Sequence, residues 1–281
     1  MQLGGRLDVR RLTPERTFES RTIGLVRKRS FSGWSGAVDA TWEHEAVDLG
    51  VILTRSLRMP ALEELYSEGP HLAAYSFEVG DPDLGAETGL GFEAYAHLHR
   101  NRWEGRLAAY LNTFDGYLFP RNTGELFVRL LLPLYQIVGE PARMYGAEWS
   151  GTWHLTPRWQ LDTQAAYVHG TLTRTDEPLP WIPPLSGQAS LTHRRGALKL
   201  GVTVRGADGQ SRLGPFEETT ESYAVVDMFG QLYHTTGRAL HTLDLTVQNL
   251  TNATYYDHLS RVKSIMPEPG MNVRLLYKVY F

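Results

Sequence analysis

The sequence has no cysteine, which excludes a disulfide framework and a thiolate metal centre. It has no apolar run approaching the roughly 18 residues that cross a bilayer as a helix. The best stretch, Leu130 to Tyr135, is short and contains Pro133. No charge of one sign dominates: 28 Lys and Arg against 31 Asp and Glu leave a net −3, so no basic surface for nucleic acid is expected. The opening residues, Met1-Gln2-Leu3-Gly4-Gly5-Arg6, lack a charged stretch followed by an apolar core, which predicts no signal peptide. If the protein is exported, its precursor is expected to be longer than these 281 residues. There is no nucleophile elbow, no phosphate-cradling glycine loop and no recognisable frame of paired carboxylates, so the chain is not expected to be an enzyme.

What is abundant is aromatic residues and alternation. The 14 Tyr and 7 Trp are spread along the chain rather than gathered into one block. Their apolar bodies and polar tips suit a membrane interface. The dominant hydrophobic period is two, that of a strand with one apolar face. At the C-terminus Met271, Val273, Leu275, Tyr277, Val279 and Phe281 alternate with Asn272, Arg274, Leu276, Lys278 and Tyr280. Similar faces are Leu243, Leu245, Val247; Leu198, Leu200, Val202, Val204; Tyr145, Ala147, Trp149, Trp153; and Leu90, Phe92, Ala94, Ala96, Leu98.

The spacing predicts about twelve strands, near 2–10, 34–42, 46–57, 86–98, 103–117, 131–155, 158–173, 186–194, 197–206, 220–234, 239–250 and 270–281. The links between them alternate in length. Tight turns fall near residues 43–45, 100–102, 156–157, 195–196 and 235–237, and long loops at 11–33, 58–85, 118–130, 174–185, 207–219 and 251–269. Short turns at one end and long loops at the other mark a transmembrane barrel, with the turns periplasmic and the loops extracellular. A soluble β-sandwich has no reason to keep that parity. The expected fold is therefore all-β, an antiparallel transmembrane meander with apolar faces toward lipid, polar faces toward the lumen, and both termini on the short-turn side.

Several motifs then resemble the TonB-dependent outer-membrane receptor family. They are Arg58-Met59-Pro60, Glu64-Leu65-Tyr66, Gly69-Pro70-His71 and the run Phe77 to Leu84 with Glu87; Tyr110 to Tyr117; Tyr145-Gly146-Ala147-Glu148; and Asn249-Leu250-Thr251-Asn252 followed by Tyr255, His258, Ser260, Pro269-Gly270 and a terminal Phe281. The resemblance implies the C-terminal part of a receptor barrel over residues 1–281, in the bacterial outer membrane, serving uptake of a metal or metal complex of siderophore, heme, zinc or copper type. It implies outer-membrane lipid and the barrel-assembly machinery as partners, with Phe281 in the assembly signal. Family members also have a plug, a TonB-engaging segment and roughly 22 strands. A plug and a further barrel half are therefore expected partners, with TonB reached only through them. A freestanding twelve-stranded porin or outer-membrane hydrolase, and a soluble sandwich binding module, are the alternatives.

The 58–85 loop holds the expected substrate contacts, His71, Arg58, Glu78 and Asp81, with His71 the first metal ligand to consider. Imidazole ligates Zn, Cu or Fe, and heme receptors of the resembling family hold a histidine between similar elements. His97 and His99 share one strand face with Glu93, a second candidate metal set. His44, between Glu43 and Glu45, reads as an exposed turn residue, and His258 as a brace of the last loop. No bound cofactor is expected apart from a transported metal or chelate.

Overall fold

The period-two segments form twelve long strands in one meander. A computed structural model describes residues 1–281. The long strands are β1 (Gln2–Leu12), β4 (Arg29–His44), β5 (Val47–Arg58), β8 (Glu87–Arg100), β9 (Trp103–Phe127), β10 (Leu132–Thr156), β11 (Trp159–Leu172), β12 (Ser186–Arg195), β13 (Leu198–Ala207), β14 (Tyr223–Thr236), β15 (Ala239–Gln248) and β16 (Asn272–Tyr280). Each pairs antiparallel with the next in this series. The five tight links are two-residue turns, at 45–46, 101–102, 157–158, 196–197 and 237–238. β1 bonds only to β4 and β16 only to β15, so the sheet is open at both edges. A closed, freestanding twelve-stranded barrel would need those edges joined, and a sandwich would need a second facing sheet.

The long links depart from the expected loops. Residues 118–127 continue β9 instead of looping, and β10 accompanies them, so that each strand is 25 residues long. Pro120 and Gly124 disguise this extension. The last β8–β9 pair is Thr88 with Asp115, so beyond it β9 has no neighbour on that side. A proline that cannot donate to a ladder is tolerated on such an edge. Pro141 lies at a register shift in β10, where a ladder bond is already missing.

The 11–33 link contains a small hairpin of β2 (Phe18–Ser20) and β3 (Gly24–Val26). The 58–85 link contains a short helix α1 (Leu62–Tyr66) and a hairpin of β6 (Glu68–His71) and β7 (Ser76–Val79). β7 then docks parallel on β10, with Phe77, Glu78 and Val79 beside Leu134, Tyr135 and Gln136. This one parallel pairing breaks an otherwise nearest-neighbour antiparallel pattern. A local alternation cannot announce it, because both partners look like ordinary strand.

Only 34 of 281 residues are buried, so no single interior core holds the sheet together. The wall turns its apolar side outward: Leu243, Leu245, Val273, Leu275 and Tyr277 are exposed on one face. Asp244 on the other face accepts a bond from Gln231 at 2.6 Å and lies 3.8 Å from Lys278. Cross-strand register places Trp42, Trp103, Trp153 and Trp159 on the outward face in the last rows before the short turns. That is an aromatic girdle at one membrane interface. Compact apolar clusters occur at the long-loop end, for example Phe31, Leu65, Leu84, Leu118 and Ile137.

Candidate functional site

The long-loop end is tied together by polar side chains, and the ties decide which residues remain free to meet a ligand. Arg58, at the end of β5, donates to Glu64 at 2.8 Å, approaches Glu87 at 3.3 Å and donates to the Leu118 carbonyl at 3.0 Å. Glu87 in turn accepts the Leu118 N–H at 2.8 Å, and Glu64 accepts the Ala61 N–H that starts α1. Gly80 lies against α1, where an added Cβ would stand 2.7 Å from the Leu65 carbonyl carbon. Arg58 is therefore occupied in holding α1 to the barrel wall. Asp81 accepts the Asp83 N–H at 2.7 Å, closing a turn, while Asp83 pairs with Arg27 at 2.6 Å.

Glu78 and His71 stand differently. The hairpin register places His71 opposite Ser76 and puts Glu78 two residues on, so all three meet on one side. Glu78 Oε1 is 3.2 Å from His71 Nδ1 and accepts from Ser76 at 3.0 Å and from Arg261 at 3.0 Å. The Arg261 guanidinium, reaching in from the 251–269 loop, lies over the rings of Trp181 at 4.8 Å and Tyr135 at 5.1 Å. Glu78 is mostly buried, whereas the His71 side chain is 55% exposed, which leaves its other ring nitrogen accessible.

Beside this cluster is a cleft of about 140 Å³ lined by Tyr135, Trp181, Arg121, Arg261, Lys263 and Glu217 among others. Its cations are already matched: Arg121 with Glu140 at 2.8 Å, Arg261 with Glu78 at 3.0 Å and Lys263 with Glu217 at 3.3 Å. What the cleft adds is aromatic surface that Arg261 partly covers, with a half-exposed imidazole nearby.

The floor of the cleft is a buried clamp between loops. Glu217, His258 and Lys263 are each less than a tenth exposed, and His258 Nε2 lies 3.0 Å from Glu217. Glu217 also accepts the Trp181 and Gly214 N–H groups, both at 3.1 Å. Thr220 and Lys263 meet His258 Nδ1 at 3.0 and 3.2 Å. Burial pushes the Glu217 carboxyl up, but the His258 contact, Lys263 and the Gly214 N–H outweigh it and hold the carboxyl below its ordinary range. Burial pushes the Lys263 ammonium down, with Glu217 offsetting only part of that. His258 thus has the bracing place expected of it. Glu217 and Lys263 were not foreseen, since neither belongs to any short pattern.

The Asn249-to-Asn252 motif also has a physical account. Asn249 adopts a left-handed backbone (φ 50°), is 1% exposed, and bonds the Ala253 N–H and carbonyl and the Pro269 carbonyl. Asparagine tolerates that conformation and supplies both donor and acceptor. Asn252 receives the Met271 N–H at 2.9 Å, closing the base of the last loop.

The second histidine set lies at the opposite end, near the short turns. His97 and His99 converge there, but with Asp48 of β5 rather than with Glu93. Glu93 is instead paired with Arg106 at 2.7 Å. The cause is register: Asp48 sits directly across from His97, whereas Glu93 is four residues further up its own strand.

Comparison with known proteins matches the architecture. The structure is similar to a copper transporter, OprC (TM-score 0.79, 21% identity), covering 99% of this chain and 44% of that one. It is similar to the FrpB iron transporter from Neisseria meningitidis (F3-3 variant; TM-score 0.70, 18% identity), covering 99% of this chain and 43% of that one. It also resembles the ferric enterobactin receptor PfeA (G324V mutant) from Pseudomonas aeruginosa (TM-score 0.64, 17% identity), covering 92% and 40% respectively. The chain spans less than half the length of these solved structures. At the level of sequence family, the model for the TonB dependent receptor-like β-barrel matches residues 1–250. With its meander, its outward apolar face and its long-loop end, the chain belongs to the TonB-dependent receptor β-barrel family of the bacterial outer membrane.

Proposed function

We propose that this chain is the C-terminal barrel part of an outer-membrane receptor that takes up a metal or metal complex. His71 and Glu78 are its first cargo contacts. The observation that carries this assignment is the half-exposed His71 imidazole, held by Glu78 beside the Tyr135–Trp181 cleft at the long-loop end. An accessible imidazole ligates a transition metal, and the aromatic faces suit the organic part of a chelate. Arg58 and Asp81 act one step back, holding the loop that presents His71. The solved structures of similar fold include copper and iron transporters and a ferric enterobactin receptor. Energy coupling requires a plug and TonB, and assembly requires the barrel-assembly machinery reading Phe281. These are proposed partners of the whole receptor. The family and fold are those of receptor barrels rather than enzymes.

The test is titration of the chain, folded in detergent, with Cu2+, Zn2+, iron protoporphyrin and a ferric catecholate, comparing the unaltered protein with His71→Ala and Trp181→Ala. Weakened binding of one of these ligands in both variants is expected. Equal affinity of all three proteins for all four ligands removes His71 and the cleft from consideration.

A further inference from the structure

At the short-turn end, far from the cleft, two strands bring together a set of ligand atoms that cargo capture at the loops does not use. Asp48 (β5) and His97 (β8) are direct cross-strand partners, and His99 follows two residues on, so all three side chains project from the same face. Asp48 Oδ2 is 3.6 Å from His97 Nδ1 and 3.7 Å from His99 Nδ1, and the three ligand atoms lie within 4.8 Å of one another. A zinc-type ion bound at about 2.0–2.1 Å in a tetrahedron sets its ligand atoms roughly 3.3–3.4 Å apart. The two carboxylate-to-imidazole separations are thus a few tenths of an ångström longer than that spacing.

Two further features distinguish it from an ordinary ion pair. Glu104 of β9, directly across from His99, reaches the other nitrogen of His97, with Oε1 3.0 Å from Nε2. A metal-ligating histidine characteristically donates its second ring N–H to such a carboxylate, which fixes the tautomer and leaves the first nitrogen's lone pair on the metal. Asp48 also has no cation within pairing distance except the two imidazoles. The nearest guanidinium that faces the site, Arg106, is drawn away by Glu93 at 2.7 Å and stacks over Tyr95 at 5.0 Å. Without an ion the carboxylate faces only the two imidazole rings.

We propose that Asp48, His97 and His99 form a binding site for a bare divalent transition-metal ion of the zinc or copper class, on the polar wall beside the β8–β9 turn. Glu104 orients His97. Two nitrogens and one carboxylate oxygen suit these borderline ions better than Mg2+ or Ca2+, which favour oxygen ligands. The side chains of the trio are a quarter to two-fifths exposed on the polar side of the wall, so an ion can enter and leave. The site does not depend on what the long loops bind.

The experiment is calorimetric titration of the whole chain in detergent with Zn2+, and electron paramagnetic resonance with one equivalent of Cu2+. Strand content is checked by circular dichroism in every variant. In the His71→Ala background, which removes the proposed cargo ligand, one ion per chain is expected, with copper coupled to two imidazole nitrogens. Binding at this stoichiometry should vanish in His97→Ala, His99→Ala and the nearly isosteric Asp48→Asn. It should weaken about 10- to 100-fold in Glu104→Ala and persist in His71→Ala. The absence of any bound ion in the unaltered chain overturns the proposal. So does an ion that, in the His71→Ala background, survives His97→Ala with His99→Ala.

Discussion

The wall and the long-loop end of this barrel spend their polar residues in opposite ways. Along the wall, Gln164 and Gln188 touch at 3.0 Å and Ser190 and Thr203 at 2.9 Å. Each is a cross-strand neighbour or near neighbour whose meeting follows from register alone. At the long-loop end the partners are remote in sequence. Arg261 meets Glu78 across 183 residues, and Arg58 reaches the carbonyl of Leu118 across 60. The wall is a repeated local solution, strand by strand. The loop end is a set of single solutions, each of which locks a different pair of segments. Damage should therefore remain local in the wall and spread at the loop end.

The largest effect is expected at the clamp. Glu217→Ala leaves Lys263 buried without its carboxylate, and breaking a buried pair in this way typically costs about 3–5 kcal/mol. Hydrogen exchange should show the 208–222 and 251–269 loops opening together while the wall stays protected. Unchanged exchange in both loops would mean that the clamp does not hold them. Acid should reproduce the effect. Because the folded-state pKa of Glu217 is depressed, its stabilisation is present above the ordinary value of 4.5 and is lost as pH falls through the lower folded value. The backbone N–H of Trp181 donates to that carboxylate, so loss of the bond should shift the Trp181 ring's surroundings, and the fluorescence lost in a Trp181→Phe comparison should change in that acid window and not near neutrality.

Next in size is the contrast between the two faces of one strand. Val202 and Thr203 are adjacent in β13; Val202 is 41% exposed on the apolar face and Thr203 bonds Ser190 on the polar one. An arginine on the lipid face near the bilayer midplane costs about 2–4 kcal/mol, so Val202→Arg should sharply lower the denaturation midpoint in lipid. Thr203→Arg should change it far less. Equal losses would mean that the two faces are not lipid and lumen.

The same contrast explains what could be read in the sequence. All twelve long strands, the five tight turns and the outward and inward faces of β13, β15 and β16 followed from alternation, because each depends only on neighbours. The continuation of β9 past Leu118 did not. Pro120 normally argues against a strand, and only the early end of β8 makes it harmless there. The parallel docking of β7 on β10 and the convergence of Glu217, His258 and Lys263 are set by how loops fold over one another, which no local pattern encodes. His97 and His99 were visible as a pair, but their carboxylate was misassigned, since Asp48 enters only through the β5–β8 register.

A smaller change tests whether the 58–85 loop is held by close packing as well as by Arg58. Gly80→Ala would drive a methyl group into the α1 backbone, which cannot swing aside as a side chain can. Overpacking of this kind costs about 1–3 kcal/mol. The expected result is faster proteolysis within 58–85 and weaker ligand binding through His71, with metal binding at Asp48, His97 and His99 untouched. If both ends lost binding together, the two regions would not be separable.

The smallest effect is expected where the wall logic is purest. Gln188 bonds Gln164 at 3.0 Å on the exposed polar face of β12. It stands directly across from Gln164 on one side and Arg205 on the other. Neither backbone ladder depends on its side chain, and water can replace the lost amide bond on a solvated face, so Gln188→Ala should shift stability by no more than about 0.5 kcal/mol. The strand should keep its register, because the outward residues Ala189 and Leu191 still specify which face meets lipid. Denaturation midpoints in lipid, measured beside Glu217→Ala, would show the difference. A loss comparable to that of the clamp variant would mean that the polar wall is itself a cooperative network, and the division between repeated local contacts and single long-range ones would fail.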